Sequence, residues 1–117
     1  MTPVQVVARQ LELYNARDLD PFMALWAEDA RLFEHPATLL ADGKAAIRER
    51  HALRFAEPNL HARLVSRIEI GNKVIDQEVV TRTFPEGPGT LEVVAIYEVV
   101  GEHIVASWVM LGRRVLD

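Results

Sequence analysis

At Leu60 the hydrophobic period of this chain changes, and that switch limits the fold more than any other feature. Before it, apolar residues recur at helical spacing; after it they alternate. Thr2-Pro3 reads as an N-cap with proline at the first helical position, where a missing N–H costs nothing. Val6, Val7, Gln10, Leu13 and Tyr14 then define one face of a first helix. Asp18 caps a second helix with Pro21 in its first turn and Phe22, Leu25 and Trp26 as its buried stripe. A short strand follows the acidic turn Glu28-Asp29 and ends at Glu34-His35-Pro36, and a loop runs from there to Asp42. Gly43 opens a third helix, from about Lys44 to Ala56, which Pro58 stops.

Beyond Leu60, Ala62, Leu64, Ser66, Ile68 and Ile70 alternate with more polar neighbours up to Gly71-Asn72, a two-residue turn signal. Lys73–Thr83 is the partner strand, and Pro85-Glu86-Gly87-Pro88-Gly89 reads as a loop. Thr90–Val100 and His103–Leu111 form a second hairpin about Gly101-Glu102. Three helices followed by an antiparallel meander predict an α+β fold with the helices on one face of the sheet. Pairing across the last turn sets Val93, Ala95, Tyr97, Val99, Ile104, Ala106, Trp108 and Met110 on one face. The other face, with Val94, Ile96, Val105 and Val109, is also apolar, and helices cover only one side. A homodimer packed through the outer sheet face is therefore expected.

With 117 residues the chain fits a single domain, residues 1–117. A net charge of −4 with scattered Lys and Arg argues against nucleic acid. Cysteine is absent, which removes disulfides, thiolate metal sites and a Cys nucleophile. No apolar run approaches the roughly 20 residues that span a bilayer, and no signal peptide is visible, so no membrane and a cytoplasmic location are expected. The four histidines show no His-x-x-x-His or His-x-His spacing, and neither a phosphate-binding glycine loop nor a Gly-x-Ser-x-Gly elbow occurs. No metal and no cofactor are expected.

The order Tyr14-Asn15-Ala16-Arg17-Asp18, Ala27-Glu28-Asp29-Ala30, Glu34-His35-Pro36 and Gly43-Lys44 resembles the nuclear transport factor 2-like superfamily, and within it the SnoaL-like and ketosteroid-isomerase-like domains. The resemblance spans nearly the whole chain. It implies a cone-shaped roll, with three N-terminal helices packed on a curved antiparallel sheet and a pocket for a small hydrophobic molecule between them. It places Glu34 on the carboxylate that shuttles the substrate proton in ketosteroid isomerases, with His35 in place of the proline that follows. Their two oxyanion donors, a Tyr and a protonated Asp, fall on Gln10 and Ala95, so a true steroid isomerase is not expected. His51 falls on a Tyr that supports the oxyanion site.

Glu34 and His51 are thus the candidate catalytic residues, with Gln10, Trp26, His35, Glu78, Tyr97 and Trp108 as candidate ligand contacts. Each has a plainer reading. Glu34 or His35 can simply end a strand, His51 can bond a backbone carbonyl, and Trp26, Tyr97 and Trp108 can be core. Pairing about Gly71-Asn72 sets Arg67 opposite Asp76, His61 opposite Arg82 and Arg63 opposite Val80. So charged a face reads as wet, whereas the resemblance turns Glu78, Val80 and Arg82 towards the ligand, with Glu78 and Arg82 as a substrate clamp. Two functions follow. One is an isomerase, cyclase or dehydratase acting beside a carbonyl; the other is a non-catalytic ligand-binding or dimerisation module.

Overall fold

Thr2 and Gln5 start helix α1 (Pro3–Ala16) by a reciprocal exchange, in which each side chain accepts the other's backbone N–H. The computed structural model describes all residues, Met1–Asp117. At the far end Arg17 takes a left-handed conformation (φ 56°), and its N–H returns to the carbonyls of Leu13 and Tyr14. The Asn15 amide accepts from the N–H of Ala62 and donates to its carbonyl, at 2.8 and 2.9 Å. That pair of hydrogen bonds ties the first turn of the chain to the sheet and explains why this turn carries a polar residue.

Helix α2 (Leu19–Ala24) is shorter than the apolar spacing suggests. Trp26, expected on its buried stripe, opens strand β1 (Trp26–Glu34) instead, in register with Ile104 of the last strand. Pairing with a distant strand overrides local periodicity here. Glu28-Asp29 lies within β1, in a stretch where the register against the last strand shifts. Thr38–Asp42, expected as loop, forms strand β2 and pairs antiparallel with β1. Helix α3 (Lys44–Phe55) precedes β3 (His61–Ile70), β4 (Lys73–Phe84), β5 (Gly87–Val100) and β6 (His103–Leu116).

The six strands run in the order β2-β1-β6-β5-β4-β3, and only the β1–β6 pairing is parallel. The result is the expected α+β architecture, three helices on a curved, open, mostly antiparallel sheet. The five-residue loop expected at Pro85–Gly89 shrinks to a tight turn, because Gly87, Pro88 and Gly89 pair with Phe84, Thr83 and Arg82. Gly89 has to be glycine: a Cβ there would lie 2.4 Å from the Val115 carbonyl oxygen.

Two irregularities correct the expected registers. A shift between Leu64 and Ser66 sets His61 opposite Thr81 and Arg63 opposite Val79, while Arg67 stays opposite Asp76. A second shift, between Glu98 and Val99, sets Tyr97 opposite Ser107, Ala95 opposite Val109 and Val93 opposite Leu111. One unmatched residue turns every later side chain to the other face. Ser107, Val109 and Leu111 therefore face the helices, and Trp108 moves to the outer face, where it stacks on Phe33 (centroids 5.8 Å apart, planes 12° apart).

The core lies between the helices and the concave face, built on Val6, Val7, Phe22, Trp26, Ile47, Val74, Val99 and Ile104, all nearly inaccessible. No helix is long and apolar enough to cross a membrane.

Candidate functional site

A cavity of about 240 Å³ opens between the helices and the concave face of the sheet. Its inner end is formed by the buried residues Gln10, Trp26, Ala95, Tyr97 and Ser107. The exposed residues Arg50 and Leu111, with half-buried Arg54 and Arg82, mark its mouth. Aliphatic side chains from Leu11, Leu32, Leu40, Leu91, Val93 and Val109 make most of the wall.

Glu78 stands on the wall at the middle of β4, only 7 % exposed. The charged face of β3 and β4 read as wet is thus partly dry, because the sheet curls under α1 and Asp76 is fully buried. Arg67 donates to both Asp76 oxygens, from Nε at 2.7 Å and from a terminal nitrogen at 2.9 Å. Asp76 takes the only nearby cation, and the Glu78 carboxyl is left without a hydrogen-bond or ion-pair partner in the protein. Burial pushes it up to about 7, and the negative charge of Asp76 adds to that, against a smaller pull from Arg67.

Two phenols share the space. Burial pushes Tyr14 up to about 12 and Tyr97 well above the usual tyrosine value, and Glu78 raises both further. Each hydroxyl stays protonated and able to donate across the physiological range. His51 sits among the rings of Tyr14, Phe22, Trp26 and Phe55, with centroids 4.8–6.4 Å away. Burial pulls it down to about 4, so the ring is neutral. Its Nδ1 lies 2.8 Å from the Ile47 carbonyl, which only accepts; Nδ1 therefore carries the proton and Nε2 the lone pair. At the inner end the Gln10 amide oxygen, Trp26 Nε1 and Ser107 Oγ are buried without partners, a rare state for polar atoms.

Of the residues singled out from sequence, Gln10, Trp26, His51, Glu78 and Tyr97 line this one cavity, and Glu34, His35 and Trp108 do not. Leu32 reaches the cavity from β1, but Glu34, one pleat further on at the strand's end, does not. It pairs with Thr38 and Val109 and is half-buried, and His35 is exposed. Trp108 was carried outward by the shift at Glu98. Ser107 and Arg54 went unnoticed in the sequence. Ser107 breaks the apolar run Val105–Leu111, and Arg54 lies three residues after His51 on the same helix face, so both left a readable mark.

The sequence pattern of the SnoaL-like domain matches residues 7–107. The chain belongs to the SnoaL-like family. The SnoaL-like fold also recurs among solved structures. An uncharacterized cystatin-fold protein from Novosphingobium aromaticivorans is 26% identical with a TM-score of 0.84, over 97% of this chain and 99% of that one. A hypothetical protein with a ketosteroid isomerase-like fold from Catenulispora acidiphila, solved with trimethylamine, is 18% identical at a TM-score of 0.76, over 93% and 85% of the two chains. A nuclear transport factor 2-like protein of unknown function from Cytophaga hutchinsonii is 12% identical at a TM-score of 0.80, over 96% and 91%. No protein of curated function matches this SnoaL-like chain in sequence.

Proposed function

We propose that this protein binds a small, largely apolar carbonyl compound in its cavity and that Glu78 exchanges a proton with it. The reaction class is proton transfer beside a carbonyl, as in isomerisation, cyclisation or dehydration. One observation carries the reading: a carboxyl without a protein partner stands on the wall of an apolar cavity. A base poised near neutral pH both takes and returns a proton efficiently. Tyr14 and Tyr97 are the hydroxyl donors for the oxyanion that proton abstraction creates, in place of the donors missing at Gln10 and Ala95. Glu34, the residue the family resemblance put forward as proton shuttle, stands outside the cavity and is not given that role. The cavity, at about 240 Å³, falls below the roughly 300–1,000 Å³ of sites for drug-sized ligands, which favours a molecule smaller than a steroid. The ketosteroid isomerase-like neighbour was solved in complex with trimethylamine, itself a molecule of few atoms, which is in keeping with a small ligand here.

The test is exchange of α-protons for deuterium in 2-cyclohexenone, followed by NMR in deuterium oxide. Wild type is expected to accelerate exchange, and Glu78→Gln to lose about a hundredfold or more of it. Exchange by Glu78→Gln at the wild-type rate removes the assignment. Absence of any acceleration leaves the second reading, a ligand-binding module without chemistry, which the unpartnered Gln10, Trp26 and Ser107 atoms also support.

We further propose that two copies pack through the outer sheet face. The Phe33–Trp108 stack, Ile96 opposite Trp108 and Val94 opposite Met110 give that face an apolar centre, and Met110 is exposed. Sedimentation is expected to show a dimer, and Trp108→Glu a monomer; a monomeric wild type refutes the assembly.

A further inference from the structure

The cavity is electrically lopsided, and that asymmetry identifies its ligand more closely. Its inner end holds the neutral polar groups Gln10, Trp26, Tyr97 and Ser107, with Glu78 on the wall as the one acid that lines it. Its mouth holds three guanidinium groups, those of Arg50, Arg54 and Arg82. The one carboxylate that pairs with them is Glu57. Glu57 accepts two hydrogen bonds from Arg82 at 2.8 and 3.3 Å and one from the Thr83 N–H at 3.0 Å. Arg54 approaches Glu57 through Nε at 3.5 Å, an ion pair without a hydrogen bond. Arg54 makes no hydrogen bond and no ion pair besides the one to Glu57, and Arg50 makes neither in the protein.

Arg82 is therefore committed, Arg54 shares Glu57 without a hydrogen bond, and Arg50 is free. Arg54 and Arg50 lie four residues apart on α3, on the same side of the helix, a spacing that brings two side chains together over one surface. Arg54 is also partly desolvated: burial lowers its pKa and the charge of Arg82 adds to that, against smaller upward pulls from Tyr14 and Glu57. A cation in such surroundings is stabilised by any anion that enters. Arginine pairs with carboxylates through two parallel N–H donors, which both strengthens and orients the contact.

We infer that the ligand is a small organic acid, its carboxylate docked on Arg54 and Arg50 at the mouth and its apolar body directed inward past Leu40, Leu91 and Val93. This rests on the reading of the cavity as a small-molecule site. It excludes neutral hydrocarbons and amines as preferred ligands, and it gives the molecule a fixed direction, charged end outermost.

The experiment is a two-dimensional NMR titration with hexanoate and, separately, with uncharged hexanamide of the same shape. The indole N–H of Trp26 reports the cavity, and that of Trp108, on the outer face, is the internal control. Hexanoate is expected to shift Trp26 and not Trp108, and to bind at least about tenfold more tightly than hexanamide. Arg54→Gln combined with Arg50→Gln should bring the two affinities to parity. Arg50→Gln alone, at an exposed side chain with no partner to lose, should narrow the gap without affecting folding. Equal or tighter binding of hexanamide overturns the acid assignment while leaving the cavity reading intact. A preference for hexanoate that survives both substitutions also overturns it, since the carboxylate then docks elsewhere. If neither compound moves Trp26, the acid assignment and the small-molecule reading fall together.

Discussion

Two glutamates on the same sheet, Glu34 at the end of β1 and Glu78 in the middle of β4, show how little a residue's type says about its chemistry. Glu34 stands at the strand end, half-buried, beside the exposed His35. Glu78 stands where the sheet curls beneath α1, is 7 % exposed, and has lost the one cation within reach to its neighbour two residues back. The side chains are identical. What differs is the water each has lost and the charge each has gained beside it. A carboxyl becomes an acid–base group near neutrality only when burial is not repaid by a partner, and β4 arranges this by placing two acids on one face with a single arginine, Arg67 of β3, that pairs with only one of them.

The largest way to break the comparison is to remove the competitor. In Asp76→Ala, Arg67 loses a bidentate partner at a site where the carboxylate had no exposure at all. Breaking a buried pair typically costs about 3–5 kcal/mol, and denaturant unfolding should find a loss of that order. Arg67 then becomes free to turn to Glu78, whose titration, followed by carboxyl NMR, should fall towards the ordinary carboxylate range. A Glu78 that still titrates near neutrality in this variant would show that Asp76 has no part in setting it.

Next in size is Glu78→Gln. The folded-state value of about 7 lies above the ordinary 4.5, so the folded protein holds this proton more tightly than the unfolded chain does. The stability associated with it is whole below pH 4.5 and is lost as pH rises through about 7. At about 1.4 kcal/mol per pH unit, that loss amounts to about 3 kcal/mol by pH 8. Glu78→Gln should therefore be more stable than wild type at pH 8 by up to that amount and equal to it at pH 4. Urea unfolding at the two pH values checks the sign as well as the size. His51 acts on the opposite flank: its folded value of about 4 lies below 6.5, so its contribution is whole above pH 6.5 and fades as pH falls through about 4.

Much of the architecture was legible because it rests on short-range signals. Thr2-Pro3, Asn15-Ala16-Arg17 and Gly43 mark helix ends through their own backbone requirements, and alternation beyond Leu60 marks strands without knowledge of their partners. The site was legible only where it depended on such signals. Gln10 and His51 point inward because they lie on the apolar faces of α1 and α3. What escaped depended on register. The shift at Glu98 exchanged Trp108 for Ser107 on the concave face, and nothing in Val-Val-Gly-Glu-His announces a bulge. The dryness of Asp76 and Glu78 escaped for a related reason: composition reports the charge on a strand, but only the curl of the sheet decides whether water reaches it.

The smallest effect belongs to the other half of the comparison, and it is the sharpest control. Glu34 lies outside the cavity, and its carboxylate takes part in none of the side-chain ion pairs that hold the strands, while its neighbour Arg31 pairs with Asp42. Substitution of a half-buried side chain with no such partner usually changes stability by no more than about 0.5 kcal/mol. Glu34→Gln, which keeps the volume and removes the charge, should therefore unfold within that margin of wild type at both pH 4 and pH 8. It should also leave the 2-cyclohexenone exchange unchanged. If instead Glu34→Gln abolished exchange while Glu78→Gln did not, the carboxylate at the strand end would be the working one. The contrast between the two sites would then be inverted, and desolvation would no longer explain which of the two glutamates carries the proton.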